Sequence, residues 1–193
     1  EERQNIAGIF EMEKDWAGEL GTITEKNPDI RQIKAMRADG DKNFFGPNVI
    51  SICQAADVVF MALHGENGEN GKIQACFDLM GITYTGTDYV SSAIAMNKGI
   101  SKELFACHGI PTPFGIRVKK GQKQEERIPF PCVVKACCGG SSVGVVIALS
   151  EESYEKALEE AFLYDDEAIV EQYIEGREFS VGVMEGKALP VIE

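Results

Sequence analysis

Long apolar runs are missing from this sequence of 193 residues. Nothing in it approaches the roughly 18 consecutive apolar residues that a membrane-spanning helix needs, which excludes that class. Positive charge is also scarce: 19 Lys and Arg stand against 31 Asp and Glu, a formal net charge of −12. A general nucleic-acid binder needs an electropositive footprint, and here the balance runs the other way. A nucleotide remains compatible, held by a few placed lysines, backbone N–H groups and metal ions. Histidine occurs twice, and none of the six cysteines forms a C-x-x-C pair, so a structural zinc site is not expected. No signal-peptide pattern is read in Glu1-Glu2-Arg3-Gln4. Cys53, Cys76, Cys107 and Cys132 sit in apolar or mixed segments, as reduced thiols do, and the expected compartment is the cytoplasm. The vicinal pair Cys137-Cys138 reads most plainly as two small residues lining a loop, with a redox role as the alternative.

What is present is globular in character. Hydrophobic residues make up 44% and charged residues 26%, and the length suffices for a buried core in one large domain or two small ones. Ile6–Phe10 reads as a short strand, and Pro47–Ala56 as a short helix. The β-branched, apolar run Asp57–Leu63 reads as a buried strand of a parallel sheet. Lys72–Met80 has helical spacing and is stopped by Gly81, and Ile82–Tyr84 completes a βαβ unit. Ser91–Cys107 is expected as one helix. Extended segments follow over Thr112–Val118, Pro131–Lys135 and Val143–Leu149. Ser150 is a good N-cap, with Ser153 at N3 leaving the capping box incomplete, for a helix to about Tyr164. Glu167–Tyr173, Glu178–Met184 and Lys187–Ile192 read as strands, the last two joined at Glu185-Gly186.

Three polar loops carry chemistry. Gly140-Ser141-Ser142-Val143-Gly144 fits the G-x-S-x-G nucleophile elbow. That pattern needs a helix after it, whereas Val145-Val146-Ile147 favours a strand, and both histidines precede the serine. A phosphate-covering hairpin is the better reading, with several N–H groups and hydroxyls aimed at phosphate oxygens and Lys135 just before the loop. It is neither a P-loop nor a protein-kinase motif. The stretch His64–Gly71 follows a strand and opens a helix, where open α/β sheets place ligands. His64 there either orients a small anion or is satisfied by local hydrogen bonds. Glu171–Glu178 is either a solvated strand end or a hinge that meets a purine edge and ribose hydroxyls.

Taken together, these segments resemble the D-alanine–D-alanine ligases of the ATP-grasp superfamily. The matching stretches are Leu63-His64-Gly65 through Gly68-Glu69-Asn70-Gly71, Gly81–Gly86, Ser91-Ser92-Ala93 with Met96-Asn97-Lys98, Gly109–Pro113, Val133-Val134-Lys135 with Gly140–Gly144, and Glu171 through Gly176-Arg177-Glu178. The resemblance implies an α/β protein, α+β in its second lobe. A Rossmann-like parallel-sheet substrate domain would occupy residues 1–90, the ATP-grasp central lobe 91–170, and the start of the C-terminal lobe 171–193. It implies ATP-dependent ligation of two D-alanines through an acyl phosphate, for peptidoglycan precursor synthesis. Lys98 and Lys135 would contact the ATP phosphates, and the loop of Gly140, Ser141, Ser142 and Val143 would close over them. Glu171, Tyr173 and Ile174 would line the adenine hinge, and Glu178 would hold the ribose. His64 would sit near the first D-alanine, and Ser141 would help position it. ATP and Mg2+ are implied as cofactors with no metal ligand in this chain, and a homodimer is implied for the full-length form, without nucleic-acid or membrane partners. The alternatives are a non-catalytic nucleotide-binding ATP-grasp piece or a ligase whose second substrate is D-serine or D-lactate.

Three positions depart from the family pattern. Asn97 stands where Asp is usual before the phosphate lysine, Ala136 where Pro usually follows the second, and Asn70 where the first loop usually has an acid. The resemblance further implies an incomplete copy, inactive alone, lacking the family's opening glycine- and serine-rich loop and most of its C-terminal lobe.

Overall fold

The computed structural model describes residues 29–36, 43–140 and 144–193, together with Gly8, Phe10 and Gly18. The strand expected over Ile6–Phe10 lies outside them apart from Gly8 and Phe10, as do Ser141, Ser142 and Val143. The helices are α1 (Ile30–Ala35), α2 (Val49–Ala55), α3 (Lys72–Met80), α4 (Tyr89–Met96), α5 (Lys98–Cys107) and α6 (Glu151–Ala161). The strands are β1 (Gly115–Lys119), β2 (Cys132–Ala136), β3 (Val145–Ala148), β4 (Glu167–Gln172), β5 (Ser180–Met184) and β6 (Lys187–Ile192). The chain is of mixed α/β class. No helix among the described residues is long and apolar enough to cross a membrane.

The main sheet has the order β1-β4-β2-β3 with every neighbour antiparallel. Its core face is set by strand alternation: Cys132 and Val134 of β2, Ala148 of β3, Ala168 and Val170 of β4 and Val118 of β1 are all buried in one cluster. Helix α6 covers that face with Tyr154, Ala157 and Ala161, one helical stripe whose alanines let it approach closely. Ser150 caps it, and the capping box is complete rather than incomplete: Ser153 Oγ, acting as Glu or Gln would, accepts from Ser150 N at 2.9 Å. Helix α6 stops at Ala161, short of Tyr164.

The preceding part is built around α3, whose Ile73 and Phe77 are buried with Ile82. Gly71 at its N-cap has φ +85°, and a Cβ there would run into the carbonyl oxygen of Tyr89, so a side chain at this position requires α4 to shift. The parallel pairing expected here exists but is one bridge long, Val59 with Tyr84, through Val59 N to Thr83 O at 2.8 Å and Thr85 N to Val59 O at 3.0 Å. The run Asp57–Leu63 is not a buried strand: Phe60 is 80% exposed and Val58 53%. Only Val59 and Met61 pack on the α3 cluster, so the described residues cover one face of this run.

The single helix expected over Ser91–Cys107 is two. Asn97, at φ −95° and ψ 101°, leaves the helical region, ends α4 and caps α5 by accepting from Ile100 N at 3.0 Å. Strands β5 and β6 form a separate hairpin, turned by Glu185 and Gly186, both at positive φ.

Candidate functional site

Lys135 owes its place to the same alternation that builds the core. With Cys132 and Val134 buried against α6 and Ala136 buried on the same face, Val133 and Lys135 face the other side of the sheet. Val133 lies opposite Glu171 and Lys135 opposite Ile169, which puts Glu171 diagonal to Lys135 on that face. Lys135 Nζ and Glu171 Oε1 form an ion pair. The second carboxylate oxygen pairs with Lys102 Nζ at 3.0 Å, and Lys102 also donates to Thr112 Oγ1 at 3.0 Å and to the Pro113 carbonyl at 2.5 Å. Glu171 is 7% exposed, and a carboxylate so buried is sustained by the cations on its two oxygens.

Lys98 reaches the same region from the first turn of α5. Its backbone N–H donates to the Cys137 carbonyl at 2.9 Å, and Asn97 forms an antiparallel bridge with Cys138. Its Nζ donates to the Gly139 carbonyl at 2.8 Å. Burial holds the Lys98 ammonium below its usual titration range, and the like charge of Lys135 adds to this, while Cys137, Cys138 and Asp165 act in the opposite sense. An anion would relieve the Lys98 ammonium of that like charge, and the positive end of the α5 dipole lies in the same neighbourhood. Beside them, burial and then the Asp165 carboxylate push the Cys138 thiol up to about 12, so it is held protonated.

A cleft of about 490 Å3 opens next to Lys98. Gly139 and Gly140 line it from the glycine loop, Leu63 from the end of the run before the first polar loop, Gly68 and Glu69 from that loop, and Ser92 and Met96 from α4. The structure therefore brings Lys98 and Gly140 together with the edge of the first loop. Lys135 and Glu171 stand behind, on the sheet. Ser141, Ser142 and Val143 lie outside the described residues. His64 is exposed and is not in the cleft lining. Tyr173 is half-buried, and Ile174 and Glu178 are exposed beyond the end of β4, none of them lining the cleft.

Lys102 and Asp165 belong to this constellation and are not found by sequence reasoning. Lys102 does leave a signal, since it stands four residues from Lys98 and thus on the same face of α5. Asn97, where the resemblance leads one to expect an acid, does with its amide oxygen the capping that a carboxylate would do.

Two family models match. The model of the D-ala D-ala ligase N-terminus matches residues 5–87, and that of its C-terminus matches residues 106–193. The chain is 50% identical over 163 residues to a D-alanine–D-alanine ligase of Lacticaseibacillus casei, covering 83% of this chain and 46% of that protein. It is 48% identical over 198 residues to one of Pediococcus pentosaceus, covering 100% of this chain and 55% of that protein. The crystal structure of D-alanine–D-alanine ligase from Bacillus anthracis complexed with ATP superposes with a TM-score of 0.68 at 34% identity, covering 75% of this chain and 50% of that one. The chain thus spans about half the length of the curated relatives it matches.

Proposed function

The chain belongs to the D-alanine–D-alanine ligase family, and we propose from that premise that it serves the ATP-dependent joining of two D-alanines for peptidoglycan precursor synthesis. In this reading the first D-alanine's carboxylate oxygen attacks the γ-phosphorus of ATP and ADP leaves. The second D-alanine's amine then attacks the acyl phosphate, inorganic phosphate leaves, and an amide bond remains. Such phosphoryl transfer asks a protein for position and charge neutralisation rather than for a nucleophile.

The observation that carries the proposal is the pair Lys98 and Lys135, close enough for one charge to depress the other, beside a cleft. Both would hold the phosphates, with Gly140, Ser141, Ser142 and Val143 closing over them. The Glu171 carboxylate is committed to two lysines, so at an adenine hinge with Tyr173 and Ile174 it would serve through its main chain and by fixing Lys135. Glu178 would take the ribose, and His64 and Ser141 the first D-alanine. Magnesium would supply charge neutralisation at the phosphates. The Glu171 carboxylate near them is already neutralised, so no magnesium ligand is assigned among these residues. The division into 1–90, 91–170 and 171–193, a homodimeric whole and a cytoplasmic location are part of the same proposal.

Calorimetric titration with ATP tests it. Lys135→Ala leaves Glu171 paired with Lys102, so the fold should persist while ATP affinity falls at least about tenfold, as loss of a charge-assisted phosphate contact implies. Equal affinity in the wild type and the variant would remove Lys135 from the site.

A further inference from the structure

The vicinal cysteines hold Lys98 and Asn97 through their backbones, while their thiols have no role described so far, yet the fold assembles those thiols with a third group. Strand β2 ends at Ala136, and the sulfurs of Cys137 and Cys138 and a carboxylate oxygen of Asp165 all lie within 4.8 Å of one another. Cys137 is fully buried, and the other two are half-buried. Backbone bonds fix all three: Cys137 N donates to the Glu167 carbonyl at 2.9 Å, Cys138 N to Asp165 Oδ2 at 2.7 Å, and Glu167 N to Asp165 Oδ1 at 3.1 Å. The Cys137 thiol also donates to Asn97 Oδ1 at 3.2 Å, the oxygen that caps α5.

We propose that Cys137, Cys138 and Asp165 form a binding site for a thiophilic divalent cation of the zinc and cadmium type. Two sulfurs select against magnesium and calcium, which take oxygen ligands, and favour soft or borderline d10 cations. Zinc–sulfur bonds of about 2.3 Å in a tetrahedral site place the sulfurs roughly 3.8 Å apart, so the cluster needs a closure of about an ångström or less. The cation replaces the two thiol protons, which pass to solvent, and no electron changes hands. Its two charges are cancelled by two thiolates, so the net charge of the site stays that of the Asp165 carboxylate, and burial opposes the loaded state little more than the empty one. The site backs onto the nucleotide cleft, because the Cys137 carbonyl holds the backbone of Lys98 and the residue after Cys138 holds its ammonium.

The test is titration of the reduced chain with Cd2+ alone, followed by the ultraviolet thiolate-to-cadmium charge-transfer band, with no nucleotide present. The expected result is a tight phase of one equivalent. Cys138→Ser should weaken it tenfold or more with unchanged circular dichroism, Asp165→Asn should weaken it to a smaller extent, and Cys107→Ser, at an exposed thiol, should leave it intact. Absence of a tight phase in the wild type, its survival in Cys138→Ser, or its loss in Cys107→Ser would each overturn the site.

Discussion

Glu171 holds two lysines of different origin, one from a strand and one from a helix, and its burial makes that arrangement sensitive. Lys102→Met would leave one carboxylate oxygen without its cation and free the Thr112 and Pro113 acceptors. A hydrogen-bonded charge pair of this kind is worth about 2 kcal/mol, so calorimetry should record Tm lower by roughly 4–8 °C. A fall of less than about one degree would mean that Lys135 alone satisfies Glu171. Lys98, Lys135 and Glu171 were legible in the sequence because each lies in a short motif with family spacing. Lys102 was not, because its role depends on a sheet register that brings position 171 to α5, and no local pattern encodes that register. His64 was singled out on the same ground as Lys98, and its side chain is exposed and outside the cleft lining.

Among the elements, helix ends and loop glycines carry the architecture. Gly71→Ala puts a methyl group against the Tyr89 carbonyl and forces a left-handed φ on a residue with a side chain. Strain of this kind costs about 1–3 kcal/mol, and the expected readout is a Tm lower by several degrees together with weakened α3–α4 packing. A variant as stable as the wild type would show that α4 can shift without cost. The sheet of the second half was legible because its strands alternate or carry β-branched residues and its turns carry glycine. The break at Asn97 was hidden because Ser91–Cys107 keeps helical composition throughout, and an asparagine inside a helical pattern does not announce that its side chain has turned to cap the next helix. Asp57–Leu63 misled for a different reason: an apolar run states that burial is favourable, and the partner that supplies it must come from elsewhere in the chain.

The whole molecule carries a net charge of −12. Self-repulsion at that charge destabilises the compact state at low ionic strength. The exposed pairs Lys72–Glu66, Arg127–Glu151 and Lys156–Glu152 are weakened by salt, but such pairs are worth little. Raising sodium chloride from low to physiological strength should therefore stabilise the fold by about half a kcal/mol, a rise in Tm of roughly 1–2 °C. A fall would mean that the local pairs outweigh the repulsion. Against this acidic background, the join between α5 and the glycine loop has a practical consequence. The backbone bond from Lys98 to Cys137 and the bridge from Asn97 to Cys138 use no lysine side-chain atom. A neutral, isosteric replacement at position 98 would therefore delete a charge while the loop keeps its address. Such a replacement also gives up the hydrogen bond from Nζ to the Gly139 carbonyl, so a change in anion affinity reports the lost charge and that one loop contact together.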